Sequence, residues 1–116
     1  MHRIETIGDV LAITLRGRTT VDDYEAIVPT FASEIEERAS LRILWDIREL
    51  DELEPREIWE DVEFNVFQRT AGERIAIVGR TTWRQWATRV FRAPSSACVR
   101  FFGADERRSA VNWLRG

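Results

Sequence analysis

The chain has no lysine; all 17 of its basic residues are arginine. That excludes Schiff-base chemistry and a lysine-bearing phosphate loop. It has one cysteine, Cys98, so no internal disulfide can form. Cys98 lies in an apolar run, where it reads as a small buried hydrophobe. The single histidine, His2, stands at the start of the chain. Metal sites built on cysteine and histidine are therefore excluded, and no cofactor is expected. No apolar run approaches the roughly 20 residues of a membrane span. Met1–Arg18 lacks the order of basic, apolar and small residues that marks a signal peptide. A reducing cytoplasm is the expected location.

What is present fits one domain. At 116 residues and 44% hydrophobic residues, the chain buries roughly two-thirds of its unfolded surface on folding. Charge is divided along it. Residues 1–67 carry a net −10 and residues 68–116 a net +7, together the −3 of the whole. The two halves are expected to lie side by side and pair across the fold. The overall acidity argues against a nucleic-acid partner.

From Leu41 to Trp113 a short apolar run, a turn and an amphipathic segment recur three times. The runs are Leu41–Ile47, Arg74–Val78 and Ala97–Phe102. This rhythm predicts successive strand–helix units, and hence an α/β fold with a single mixed, mostly parallel sheet of four or five strands and four helices. Upstream, His2–Ile7 and Asp9–Leu15 about Gly8–Asp9 suggest a hairpin. Arg16–Gly17–Arg18 is expected to end the second strand. Thr19 or Thr20, with Asp22 and Asp23 three positions on, favours a helix start. That helix spaces Tyr24, Ile27, Val28, Phe31 and Ile35 helically, and Pro29 predicts a kink or break within it.

After Leu41–Ile47, Arg48 to Glu54 reads as a charged loop. Pro55 then opens a helix with Ile58, Trp59, Val62 and Val66 on its inner stripe, closed by Gly72. Trp59 is expected to pack beneath the Arg48–Glu54 loop. Thr82 with Gln85 suggests a capping box for a helix carrying Trp83, Trp86, Ala87, Val90 and Phe91. Asp105 is a candidate cap for the last helix, with Ala110, Val111, Trp113 and Leu114. Charged positions such as Arg42, Asp46 and Arg100 alternate with apolar ones in the strands. Helices mainly on one face, with the other partly open, are therefore expected.

In order and spacing these residues resemble a known family. They are Gly17 followed by Thr20, Asp22, Asp23 and Tyr24; Leu44 with Asp46; Trp59 with Asp61 and Phe64; Arg74–Val78; Trp83; Phe101 or Phe102; and Ala110 followed by Trp113–Leu114. The chain resembles the SpoIIAA-like group of the STAS superfamily, also described as STAS/SEC14 domain proteins, over a single domain of residues 1–116. The resemblance implies a right-handed β–α superhelix. The better-known members antagonise anti-sigma factors or form cytoplasmic domains of anion transporters. Sporulation-type antagonists switch by phosphorylation of a serine or threonine at the helix start after the strand read here as Leu41–Ile47. Arg48 to Arg56 contains neither residue. The resemblance therefore implies regulation without that switch.

The stretch from Glu49 to Glu63 could ligate a hard cation, but it lacks the spacing of a calcium loop and reads as a solvated face. Arg80, Arg84, Arg89 and Arg92 around Trp83 and Trp86 fit a membrane-surface helix as well as a core-facing one. In open α/β sheets ligands bind beyond the carboxyl ends of the strands. The residues there are Arg16–Gly17, Asp46, Arg48, Gly79–Trp83 and Gly103. Arg48, Arg80, Thr81, Thr82 and Trp83 form the candidate ligand- or anion-binding set. No nucleophile–base pair is visible. The sequence predicts a non-enzymatic binding domain acting on a protein partner or small ligand, as a homodimer of mixed apolar and arginine–carboxylate contacts. The alternative is a small-molecule or lipid-binding module touching membranes.

Overall fold

The computed structural model describes residues 1–37, 42–54, 74–91 and 98–116. Its element order is β1 (His2–Ile7), β2 (Val10–Thr19), α1 (Val21–Glu37), β3 (Arg42–Leu53), β4 (Arg74–Gly79), α2 (Thr81–Phe91), β5 (Cys98–Gly103) and α3 (Arg107–Arg115). The five strands form one mixed sheet in sequential order β1 to β5. β1 runs antiparallel to β2 and every later pair is parallel. Each parallel pair needs a crossover, and sequential order with short crossovers is the arrangement of a β–α superhelix. Among the described residues there are three helices. The helix expected from Pro55 to Gly72, with Trp59, lies outside the described residues.

The hairpin is where the sequence placed it. Ile7 pairs with Val10 across Gly8–Asp9. Gly8 has φ +61° while Asp9 is not in the left-handed region, the φ pattern of a type II′ turn. β2 does not stop at Leu15 but runs to Thr19. Gly17 takes φ +57° at one of the register shifts that let this second half pair with β3. β3 likewise continues through the segment expected as a charged loop. Leu50 and Leu53 are buried there, while Glu49, Asp51 and Glu52 face solvent.

α1 begins after Thr20, whose backbone N–H donates to the Asp23 carboxylate at 2.9 Å. Thr19 belongs to β2, which leaves the cap to Thr20. Asp23 also holds His2, Nδ1 lying 2.7 Å from Oδ1. Burial alone would raise the Asp23 carboxyl pKa. The hydrogen bonds from His2 and Thr20, with the nearby amino terminus, outweigh it and hold the group low. The break expected at Pro29 does not occur, for α1 is continuous through it. Pro29 is exposed, so water can satisfy the carbonyl that its missing N–H leaves without a partner. Asp105 does not cap α3. Glu106 holds the N-cap position, and its side chain instead accepts the Gly103 N–H at 2.8 Å.

Two cores flank the sheet, because alternate strand residues face opposite sides. On one side Leu11, Ile13, Leu15, Ile43, Trp45, Ile47, Ile75 and Ile77 pack with Ile27 of α1 and with Trp83 and Trp86 of α2. On the other, Val10, Ala12, Leu44, Ala76, Val78 and Phe102 pack against Ala110 and Leu114 of α3. α3 covers part of the second face, anchored where Arg74 donates to the Trp113 carbonyl at 2.6 Å and Arg42 to the Leu114 carbonyl. Cations at a helix C-terminus also complement its dipole. Gly79 sits between Ile47 and Gly103 in register. A Cβ there would lie 2.7 Å from Ile47 Cγ1, so the close approach of β3 and β4 requires glycine.

Candidate functional site

α3 covers only part of its face. Beyond it, the side chains on the same face change from apolar to charged. Along β2 the sequence of that face is Val10, Ala12, Thr14, Arg16; along β3 it is Leu44, then Asp46. Arg3 pairs in register with Thr14 and Glu5 with Ala12, so β1 brings two more charges to this side. Arg3, Glu5, Thr14, Arg16 and Asp46, with Arg48, Glu49, Ala104 and Arg107, line a cleft of about 480 Å³.

Asp46 is the floor of the cleft and is only 3% exposed. Arg48 clasps it with a two-pronged bond, Nε to Oδ1 and Nη2 to Oδ2, both 2.8 Å. The Arg48 backbone N–H adds a third bond to Oδ1 at 3.2 Å. Arg107, from the start of α3, donates its Nε to Oδ2 at 3.1 Å. Burial by itself would push the Asp46 carboxyl up. The side-chain and backbone bonds from Arg48, its charge and the bond from Arg107 outweigh that cost and hold the carboxyl below its ordinary range. Asp46 is therefore an ionised anchor that fixes two guanidinium groups from different elements.

The walls are looser. Arg107 Nη2 stands 3.5 Å from Glu5, and Arg3 stands 3.8 Å from the same carboxylate. Arg16 meets Glu49 at 2.7 Å. The Arg107 contacts join the basic second half of the chain to the acidic first half, as the charge division led one to expect. Among the described residues most other ion pairs, Arg16–Glu49 and Arg18–Glu54 among them, lie within the first half.

The candidate set divides between two places. Arg48 belongs to this cleft. Arg80 instead donates to the Leu50 carbonyl and lies 3.5 Å from Asp51. Thr81 and Thr82 are exposed at the start of α2. Trp83 is 6% exposed, and its indole Nε1 donates to the same Leu50 carbonyl at 3.0 Å. It meets Trp86, 8% exposed, edge to face at 5.6 Å. Trp83 thus ties α2 to the far half of β3 and belongs to the core.

Sequence reasoning placed Arg16, Asp46 and Arg48 at the strand ends but not in one cleft, and it missed Arg3, Glu5 and Arg107. The usable signal was the charged residues at alternating positions of β1, β2 and β3. Arg107 gave no signal, since a first-turn arginine on a surface helix is unremarkable until α3 is seen to lie beside β3. Among the described residues no group of three or more potential ligands is arranged for a metal ion. No described helix is long and apolar enough to cross a membrane.

Among the described residues a five-stranded mixed sheet in sequential order carries two helices on one face and a third on the other, an α/β architecture of the SpoIIAA-like kind. The chain belongs to the SpoIIAA-like family, whose model matches residues 10–115. Among solved structures it is similar to an uncharacterised DUF3478-family protein with a SpoIIAA-like fold from Shewanella loihica PV-4. The two share 30% identity over 98% of this chain and 92% of the other, with a TM-score of 0.73. It is also similar to the anti-sigma factor antagonist SpoIIAA in its unphosphorylated form, at 17% identity, a TM-score of 0.70, and coverage of 100% of this chain and 99% of the other. No functionally curated protein has a significant match to the chain.

Proposed function

We propose that the chain is a non-enzymatic regulatory binding domain that recognises its ligand or protein partner at the Asp46 cleft, without a phosphorylatable hydroxyl at the end of the Leu41–Ile47 run. The observation that carries this reading is the buried, ionised Asp46 holding Arg48 and Arg107 at the floor of an open cleft. Such an anchor preorganises recognition groups, which lowers the entropic cost of binding. Family membership supports a regulatory interaction role. The lining chemistry favours binding over catalysis: each lining carboxylate faces an arginine. The membrane reading is weakened by the burial of Trp83 and Trp86, the two tryptophans it would insert.

An NMR screen of a small-molecule library against the labelled protein tests the proposal. Hits are expected to move the amides of Thr14, Asp46, Arg48, Ala104 and Arg107. Hits confined to the α1–α2 side would overturn it.

The homodimer is likewise a proposal. Among the described residues the exposed large apolar side chains are Met1 and Val21, too few to form an interface. A dimer formed by the described surface would therefore be held by arginine–carboxylate contacts. Sedimentation equilibrium is expected to find a dimer that dissociates as salt rises. A monomer at high protein concentration in low salt would rule it out.

A further inference from the structure

The cleft holds more donors than the fold itself uses. An arginine has five N–H donors. Arg48 lays its Nε–Nη2 edge on Asp46, which leaves its Nη1–Nη2 edge without a partner among the described residues. The side chain is 40% exposed. Arg107 gives Nε to Asp46 and turns Nη2 toward Glu5, so its Nη1 is also uncommitted there. Arg3 and Arg16 reach the same space from β1 and β2. Four guanidinium groups thus converge from four elements, against three carboxylates. One of the three, Asp46, lies beneath them and is already neutralised.

From this geometry we infer that the cleft binds a phosphoryl group carried by a small molecule. The inference rests on the binding-domain reading above. The end-on edge of Arg48 and the free corner of Arg107 supply the principal contacts, and Arg16 and Arg3 close the shell. Donors that arrive from several directions suit a tetrahedral dianion with three outward oxygens. A single planar carboxylate is satisfied by one fork, and Asp46 already fills that role for Arg48. Asp46 is a positioning residue, since it touches the arginines rather than the ligand.

Glu5 and Glu49 engage the wall arginines as internal stand-ins. The Arg16–Glu49 pair is solvent-exposed, and the Arg107–Glu5 pair is partly exposed and long at 3.5 Å, so an incoming phosphoryl group displaces them at small cost. The cleft volume of about 480 Å³ suits a compact phosphomonoester rather than an extended chain.

Titration with inorganic phosphate, followed by amide chemical shifts, is the test. Saturable shifts are expected at Thr14, Arg16, Arg48 and Arg107. Arg48→Gln should weaken phosphate binding about tenfold or more, through loss of a charge-assisted contact. Its folding is checked by thermal denaturation. Arg16→Gln keeps the lock on Asp46 intact and should weaken binding about threefold, as removal of an exposed wall contact does. Glu49→Gln should tighten binding by a similar factor, a change of sign that a merely structural role does not produce.

The source of the phosphoryl group is read in a second arm. Binding to vesicles containing phosphatidate that free phosphate does not compete away would overturn the small-molecule assignment. Acetate or malonate binding more tightly than phosphate would overturn the phosphoryl assignment. Shifts that are not saturable, or that neither arginine variant alters, would mean an adventitious ion only and overturn the inference. If phosphate fails while library compounds of another class move the same amides, this inference falls and the binding-domain reading stands.

Discussion

Arg48→Met is expected to destabilise the protein by about 2–3 kcal/mol at neutral pH. Removing one partner of a fully buried pair typically costs about 3–5 kcal/mol. The lower figure applies because Arg48 is 40% exposed and Arg107 remains on the carboxylate. The loss should also depend on pH in a defined direction. In the parent protein the Asp46 pKa is held below its unfolded value. It therefore contributes stability that is present above the ordinary aspartate range and lost as pH falls through the folded pKa. Without Arg48 the opposing cost of burial gains ground and the folded pKa rises. The variant then takes up its proton at higher pH than the parent, so the gap between them narrows on acidification. Urea denaturation of both proteins at pH 7 and near pH 4 measures it. A gap that is constant or widens toward acid would show that Asp46 is not the ionised anchor described above.

Trp45→Ala is expected to be costlier still, at about 3–5 kcal/mol. Trp45 is 2% exposed at the middle of β3 and is the largest of the fully enclosed side chains on the α1–α2 side of the sheet. In register it lies between Ile13 of β2 and Ile77 of β4. Loss of the indole would open a cavity between rigid strands, which cannot close without shifting the ladder on both sides. A fall in the urea midpoint with an unchanged slope is the expected result. A midpoint within error of the parent value would mean the site collapses around the alanine. Trp45→Phe should recover most of the loss, because an aromatic ring fills much of the same volume.

The elements legible in the sequence were those with a local cause. Gly8–Asp9 marked the hairpin because a two-residue turn needs a residue tolerant of positive φ. Arg74–Val78 marked a strand by its unbroken apolar run, and the structure shows why the run is unbroken: flanked by β3 and β5, the strand has both faces covered. Pro29 does not break α1, because its effect depends on whether the carbonyl it leaves without a donor meets water, and that is decided by which face of α1 lies outward. The segment after Ile47 misled for a related reason. Five of its seven residues from Arg48 to Glu54 are charged, and a strand whose backbone bonds go to a parallel neighbour tolerates charged side chains on its outer half. Leu50 and Leu53 were the available signal. Their three-residue spacing fits a strand only after the register shifts opposite Gly17 are known.

By itself the sequence determined the class of fold, the succession along the chain of the strands and helices among the described residues, and the absence of lysine and of cysteine–histidine metal chemistry, because residue type and short-range periodicity act locally. Only the tertiary structure decided that α3 crosses to the far face and stops short of Thr14 and Asp46. It also decided that Arg107, 61 residues from Asp46 in the chain, completes its clasp. The Asp46 cleft exists because β1, β2, β3 and α3 meet there, and a meeting of elements distant in sequence is set by packing that no local pattern encodes.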